Sequence, residues 1–312
     1  MKKVWIVICY FGDVPDSLSL WLESCGRNSD YEWLLVNDFG ITNSNFPANV
    51  RSVQSSLEEV KELFSSYLAL DVLSLENAYK LNDFKPLYWV FLEELEIDYD
   101  FWGYCDLDLM FGRIGNFIDD SLYEEYDRIL GQGHLSLYRR CPTCLSLTAF
   151  PHPDLEVNNV FGNCDFFGFD EHFGVNIICK IHKLKFYENE GFLIDVIPRL
   201  DPPRMTSAIG NKRAQKFIYY RGRVMQVYRS WNGRYRVKEF CYMHLQKRNL
   251  SFAAGRRADL SLKGICVTSD GLVEISKISD VLSIVNTHVS LTERMRIFRF
   301  DLRYFFRRIR GI

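Results

Sequence analysis

The sequence contains no apolar run long enough to cross a bilayer: the longest, Val4 to Phe11, falls far short of the roughly 20 residues a spanning helix needs. No cleavable-signal architecture follows it, so the expected location is the cytoplasm. The nine cysteines are odd in number and scattered, which excludes the disulfide framework of a small secreted scaffold and suits a reducing compartment. Cys141 and Cys144 have Cys-x-x-Cys spacing, but the second pair that a structural zinc site requires is missing. Their expected role is burial as small apolar residues. Internal repeats, low-complexity stretches and a clear linker are also lacking. Net charge is only -2, yet Arg294 to Arg310 holds seven arginines against one acid, Asp301, so attraction to an anionic surface is confined to that tail.

What is present describes a folded α/β chain. With 312 residues, 47% of the composition apolar and 25% charged, the chain buries a substantial core and is not disordered. Val4 to Phe11 ends in Gly12 and reads as a strand buried on both faces of a parallel sheet. A helix is expected from about Asp16, then a second strand at Leu34–Val36 that stops at Asn37-Asp38-Phe39-Gly40. Ser56 and Glu59 form a capping box before a helix carrying Val60, Leu63, Phe64 and Tyr67. Pro86 opens a further helix through Leu87, Val90, Phe91 and Leu95. An aromatic strand from Tyr99 to Cys105 leads straight into Asp106-Leu107-Asp108. Shorter elements follow: a helical piece near Ile114–Ile118, strands near Arg128–Gly131 and His134–Tyr138, and a hairpin or meander from Phe217 to Leu245 that turns at Trp231-Asn232-Gly233.

Asp106 and Asp108 stand where open α/β sheets bind ligands, at the carboxyl end of a strand. Two carboxylates one residue apart can share a divalent cation, and Mg²⁺ and Mn²⁺ complete their oxygen shells with phosphate. A cation there opposes charge developing on a diphosphate leaving group. The competing reading is a pair of solvated loop acids. A third ligand is expected from elsewhere, and His244 offers one at the end of a predicted strand, although a lone histidine is more often structural. Lys247 and Arg248, just beyond it, suit a bound diphosphate.

The sequence resembles GT-A fold glycosyltransferases, within them a bacterial group of capsule and O-antigen polysaccharide biosynthesis. The likeness rests on Tyr10-Phe11-Gly12, on Lys80-Leu81-Asn82-Asp83-Phe84-Lys85-Pro86 and on the block from Phe101 to Gly112. It continues through Gly133 to Arg139, Phe169-Asp170-Glu171 and His244-Leu245-Gln246-Lys247. The resemblance implies a GT-A-like, Rossmann-related mixed sheet flanked by helices over residues 1–250, with 251–312 a C-terminal extension ending in a basic amphipathic helix. It implies transfer of a hexosyl group from a nucleotide-diphosphate sugar, most readily a UDP-sugar, to a glycan or lipid-linked oligosaccharide, with Mn²⁺ or Mg²⁺ as cofactor. Tyr10, Phe11, Gly12, Asn37 and Asp38 would form the base and ribose pocket. Asp106, Asp108 and His244 would hold the metal, as in families 8 and 32. Asp83 would bind donor-sugar hydroxyls, with a helix cap as its alternative, and Lys85 and Lys247 would face the diphosphate. Asp170 and Glu171 would be acceptor-side acids, a base if the reaction inverts, with a helix N-cap as the alternative. His134 and Arg139 are weaker acceptor-side candidates.

Rival readings remain open. Basic and aromatic residues interleave from Arg221 to Arg236 as in a nucleotide or nucleic-acid binding module, but that leaves the acids idle. A metal-dependent nucleotidyltransferase or phosphohydrolase would use the same acids on a diphosphate bond. Met295, Phe298, Leu302, Phe305 and Ile309 share one helical face among the arginines of the tail. That face is expected either to lie peripherally on the anionic inner surface of the cell membrane or to pack on the domain.

Overall fold

A computed structural model describes residues 2–40, 46–68, 73–197, 200, 203–207, 210–212, 214–246, 264–268, 271–285 and 295–299. In chain order the strands begin with β1 (Val4–Tyr10), β2 (Glu32–Asn37), β3 (Val50–Gln54), β4 (Phe101–Cys105) and β5 (Leu109–Phe111). Next come β6 (Arg128–Gln132), β7 (Leu135–Arg139), β8 (Phe186–Tyr187), β9 (Leu193–Ile197) and β10 (Arg204–Met205). The series closes with β11 (Gln215–Tyr220), β12 (Arg223–Arg229), β13 (Tyr235–Phe240), β14 (Tyr242–His244), β15 (Gly264–Thr268) and β16 (Gly271–Ile275).

The chain forms two compact units that interleave along the sequence. One comprises Met1–Pro15, Asn28–Leu107 and Ile118–Asn189; the other comprises Asp16–Arg27, Asp108–Phe117 and Glu190–Ile312. The boundary expected at residue 250 lies outside the described residues.

In the first unit a seven-stranded mixed sheet, flanked by helices, has the order β3-β2-β1-β4-β7-β6-β8. β3, β2, β1 and β4 run parallel, whereas β7 is antiparallel to β4 and β6. The apolar runs of β1 and β2 belong inside a parallel sheet, which is covered on both faces. The capping box of Ser56 and Glu59 is formed at the start of the helix Leu57–Tyr67, satisfying two otherwise orphaned groups reciprocally. The helix expected around Pro86 is broken into a 3-10 turn, Lys85–Leu87, and a short helix, Trp89–Glu94. Their aromatic side chains form one core: Phe64 stacks on Phe84 with ring centroids 5.4 Å apart and meets Phe91 edge-on at 5.5 Å. The order β2-β1-β4 turns the chain in opposite directions on either side of the gap between β1 and β4. That is the topological switch point at which such sheets bind ligands, outside the carboxyl ends of the strands.

In the second unit β10-β9-β14-β5 form a four-stranded sheet and β13-β12-β11-β15-β16 a five-stranded one. The segment after Asp108, read from the sequence only as an apolar continuation, is thus a strand in its own right, antiparallel to β14. The expected turn at Trp231-Asn232-Gly233 joins β12 to β13, and Gly233 takes φ +80°, which glycine adopts at little cost. β15 and β16 extend the same sheet beyond residue 250. Of the basic tail, residues 295–299 are helical with Met295 and Phe298 exposed, and 300–312 lie outside the described residues.

Gly103 marks a close approach of two backbones within the first sheet. A Cβ there would lie 2.4 Å from the carbonyl oxygen of Ser136 and 3.3 Å from the Cα of Leu137, both backbone atoms of β7 that a rotamer change cannot move. Gly103→Ala is therefore expected to lower unfolding free energy by about 1–3 kcal/mol, the usual cost of overpacking. Wild-type denaturant resistance in that variant would show that β4 and β7 are less tightly apposed.

Candidate functional site

Within the first unit, acids and lysines gather around the end of β4. The run Asn77 to Leu87 winds through short helical turns, which brings Lys80, Asp83 and Lys85 inward in succession. Lys85 is 5% exposed, and its Nζ donates to Asp106 Oδ1 at 2.8 Å, Asp170 Oδ2 at 2.9 Å and the Gly133 carbonyl at 2.7 Å. Burial alone would push the lysine pKa down, but the two carboxylates outweigh it and raise it above the ordinary value. Asp170 is moved the other way from its usual range: burial raises its pKa to about 6, with Lys85 opposing the rise. The backbone of Asp170 is held as well, because the Tyr104 hydroxyl donates to its carbonyl at 3.1 Å. Glu171 beside it is exposed, and a Cβ on Gly133 would sit 2.7 Å from Glu171 Cγ.

These contacts revise three expectations. Lys85 is not a free cation for a diphosphate, since its ammonium already has three acceptors. Asp170 is a buried partner of Lys85 rather than an exposed acceptor-side base. Neither Asp170 nor Glu171 caps a helix, because the next helix, Val175–Ile181, begins after Gly174.

Asp83 is placed deeper than its expected role allows. Its side chain is fully buried, Oδ2 accepts from Lys80 Nζ at 2.9 Å and from Phe167 N–H at 3.0 Å, and Oδ1 accepts from Phe169 N–H at 2.8 Å. Lys80 Nζ also donates to the carbonyls of Val160 and Asp165. With no accessible surface, Asp83 fastens the Phe167–Phe169 backbone and cannot touch a sugar hydroxyl. Arg139 proves structural too, pairing with Asp127 at 3.2 Å and donating to the carbonyls of Tyr123, Glu124 and Tyr126. The His134 carbonyl accepts the Asp106 N–H at 3.2 Å.

At the ends of β1 and β2, Gly12 N–H donates to Asp38 Oδ1 at 2.9 Å, and Gly12 takes φ +104°, a conformation other residues resist. Asp38 and Gly12 are exposed, whereas Tyr10 and Phe11 are half-buried. Tyr10 and Phe39 form a tilted ring pair 5.6 Å apart. Asn37 differs: it is fully buried, its amide donates to Ser52 Oγ and the Leu35 carbonyl, and its oxygen accepts from Phe39 N–H and Gln54. It shapes this loop from within.

In the second unit the strand pairing itself assembles a cluster. Parallel pairing of β14 with β9 sets His244 opposite Asp195, and antiparallel pairing with β5 sets it opposite Leu109, next to Asp108. His244 Nε2 lies 3.4 Å from Asp108 Oδ1, and Nδ1 lies 2.8 Å from Asp195 Oδ1. Gln246 Nε2 and Thr206 Oγ1 donate to the two Asp195 oxygens at 2.9 and 2.7 Å, which fixes that carboxylate. Burial lowers the imidazole pKa, but Asp108 and Asp195 together raise it to about 10. An imidazole whose Nδ1–H is held by a carboxylate presents Nε2 as its ligand atom, the usual outer-shell arrangement at metal sites. Asp195 was missed in the sequence because no motif marks it; an acid at a strand position otherwise occupied by apolar residues, Leu193-Ile194-Asp195-Val196-Ile197, was the available signal. Lys247 lies outside the described residues.

The buried Lys80–Asp83 pair yields a direct test. Asp83→Ala leaves an uncompensated ammonium and two unsatisfied backbone N–H groups, so stability is expected to fall by about 3–5 kcal/mol. Equilibrium unfolding measures this, and a variant of undiminished stability would return Asp83 to the list of ligand-contacting groups.

No curated protein matches the chain. Among solved structures it is similar to the galactosyltransferase LgtC in complex with donor and acceptor sugar analogs, at 10% identity and TM-score 0.34, covering 61% of this chain and 75% of that one. It is also similar to the glycosyltransferase GlyE of Streptococcus pneumoniae, at 14% identity and TM-score 0.29, covering 61% of this chain and 46%, about half, of that one. Both TM-scores lie below 0.5. The family whose profile spans residues 6–275 carries the description "Family of unknown function (DUF6625)", and the chain belongs to it.

Proposed function

We propose that the chain is a metal-dependent glycosyltransferase of GT-A type that takes its sugar from a nucleoside-diphosphate donor. The observation that carries this reading is the Asp108–His244–Asp195 cluster, with a second acid, Asp106, two residues before Asp108 at the carboxyl end of β4. In this reading Asp106, Asp108 and His244 are the ligands, two carboxylates and one imidazole. The donor set fits Mn²⁺ or Mg²⁺, with oxygen ligands predominating and the imidazole oriented through its other nitrogen. A divalent cation bound there would stabilise the negative charge that develops on the leaving diphosphate.

The chain's own groups have distinct parts in this reading. Asp195 keeps His244 turned with Nε2 outward. Lys85 holds Asp106 and Asp170 in place through its ammonium. Gly12 and Asp38 close the turn beside the switch point, where the nucleoside would lie, and the exposed Glu171 is the acid available to an acceptor hydroxyl. A UDP-sugar as donor, a lipid-linked oligosaccharide as acceptor, a place in capsule or O-antigen synthesis and peripheral membrane contact through 294–312 rest on the motif resemblance and on the arginines of the tail.

Incubation with a panel of nucleotide sugars and Mn²⁺ should release nucleoside diphosphate with the sugar passed to an acceptor or, slowly, to water. Turnover of free nucleoside triphosphates without sugar transfer would instead identify a nucleotidyltransferase or phosphohydrolase. Asp108→Asn is expected to reduce Mn²⁺-dependent transfer at least about 100-fold, as loss of an electrostatic stabiliser does, with little change in thermal stability.

The raised pKa of His244 adds a pH signature. In the metal-free protein the imidazolium contributes stability that is fully present below its ordinary pKa of 6.5 and is lost as pH rises through about 10. A metal ligand must be neutral, so Mn²⁺ uptake between those values should release a proton and tighten as pH rises. Calorimetry in buffers of differing ionisation enthalpy counts that proton, and pH-independent binding without proton release would remove His244 from the ligand set.

A further inference from the structure

Cys141 and Cys144 play no part in the site described above, yet the first unit presents them as a matched pair. Cys141 immediately precedes the short helix Pro142–Leu145, and Cys144 is its third residue. The turn is closed by Leu145 N–H donating to the Cys141 carbonyl at 3.0 Å, which brings the two side chains together one turn apart. The two side chains are near enough for each to shift the ionisation of the other, and the Cys144 thiol donates to the Asp127 carbonyl at 3.7 Å. Their environments differ in the sense such chemistry requires. Cys141 is half-buried and open to a reagent, while Cys144 is fully buried against the aromatic core.

The ionisation of the two sulfurs is split accordingly. Cys144 is the largest influence on Cys141 and, against the effect of burial, lowers its pKa to about 6; Cys144 is raised well above the ordinary thiol value by Cys141 and by burial. A zinc role finds no support, since among the described residues no further His, Cys, Asp or Glu joins the two thiols into a ligand group.

We propose that Cys141 and Cys144 form a reversible redox pair, with Cys141 the attacking sulfur, Cys144 the resolving sulfur and a low-molecular-weight disulfide of the glutathione type the oxidant. The Cys141 thiolate attacks one sulfur of that disulfide, forming a mixed disulfide and expelling one thiolate. Cys144 then attacks Cys141 Sγ, forming the Cys141–Cys144 bond, and its proton leaves with the second departing thiol. Two electrons pass from the protein pair to the small disulfide, which becomes two thiols, and excess thiol reverses both steps. Burial of Cys144 keeps the second step intramolecular, so the mixed disulfide is short-lived in the wild-type chain.

The test uses the full chain, oxidised glutathione and peptide mass analysis after acid quenching, with exposed Cys164 as internal reference. The expected result is a peptide spanning both cysteines lighter by two hydrogens, restored by excess reduced glutathione. Cys144→Ala should stop at a stable glutathionyl adduct on Cys141. Because that variant alters a buried position, alkylation of the native wild-type chain at pH 7 provides a second reading, in which Cys141 should be modified faster than Cys164. Both thiols surviving oxidised glutathione, accumulation of the mixed disulfide in the wild type, or alkylation of Cys141 no faster than Cys164 would each overturn the proposal.

Discussion

A lysine almost entirely out of water keeps its charge only if anions are buried with it, and in the first unit that constraint governs everything near the end of β4. Lys85 is paired with both Asp106 and Asp170, of which Asp170 is as deeply buried as the lysine itself. Asp106 is delivered by the strand, Asp170 by a segment of irregular backbone far away in sequence, and Lys85 by a 3-10 turn. β4 is held by β1 and β7 on either side, and the ion pairs tie the other two segments to its end.

The same device is used a second time, five residues earlier. Lys80 and Asp83 are both fully buried, and Asp83 takes the N–H groups of Phe167 and Phe169 as further partners. The stretch Phe167 to Asp170 is therefore fastened by Asp83 at Phe167 and Phe169 and by Lys85 at Asp170. Two ionic nodes on one short helical run fix a loop that has almost no secondary structure of its own. Buried polar groups are costly unless fully partnered, and each oxygen of Asp83 has a donor.

Legibility from sequence divides along the range of the interactions involved. Features set by neighbouring residues were readable: the capping box at Ser56, the apolar strands β1 and β2, the Gly233 turn and the position of Asp106 after an aromatic strand. Features set by distant partners were not. Nothing near Lys85 in the chain announces that Asp170 will neutralise it, so it was read as a free phosphate-facing cation. Nothing near Asp195 announces that β9 will pair with β14 and bring it against His244. Asn37 illustrates the same limit on a smaller scale: its place at a strand end was right, but its amide is consumed by Ser52 and Gln54 from the adjoining strand region.

Asp106 and Asp108 look interchangeable as letters, but they are not held alike. Asp106 is tethered to an ammonium and Asp108 to an imidazole, so each carboxylate has a different partner before any ligand arrives. The two tethers also yield differently. The imidazole next to Asp108 must give up its proton to become a ligand, which ties that side of the site to pH. Lys85 has no such need, because when Asp106 (19% exposed) turns to another cation the ammonium retains Asp170, itself 2% exposed, and the Gly133 carbonyl. The lysine thus remains neutralised whether or not Asp106 is engaged elsewhere, and the exposed acid of the pair is free to exchange partners without stranding a buried charge.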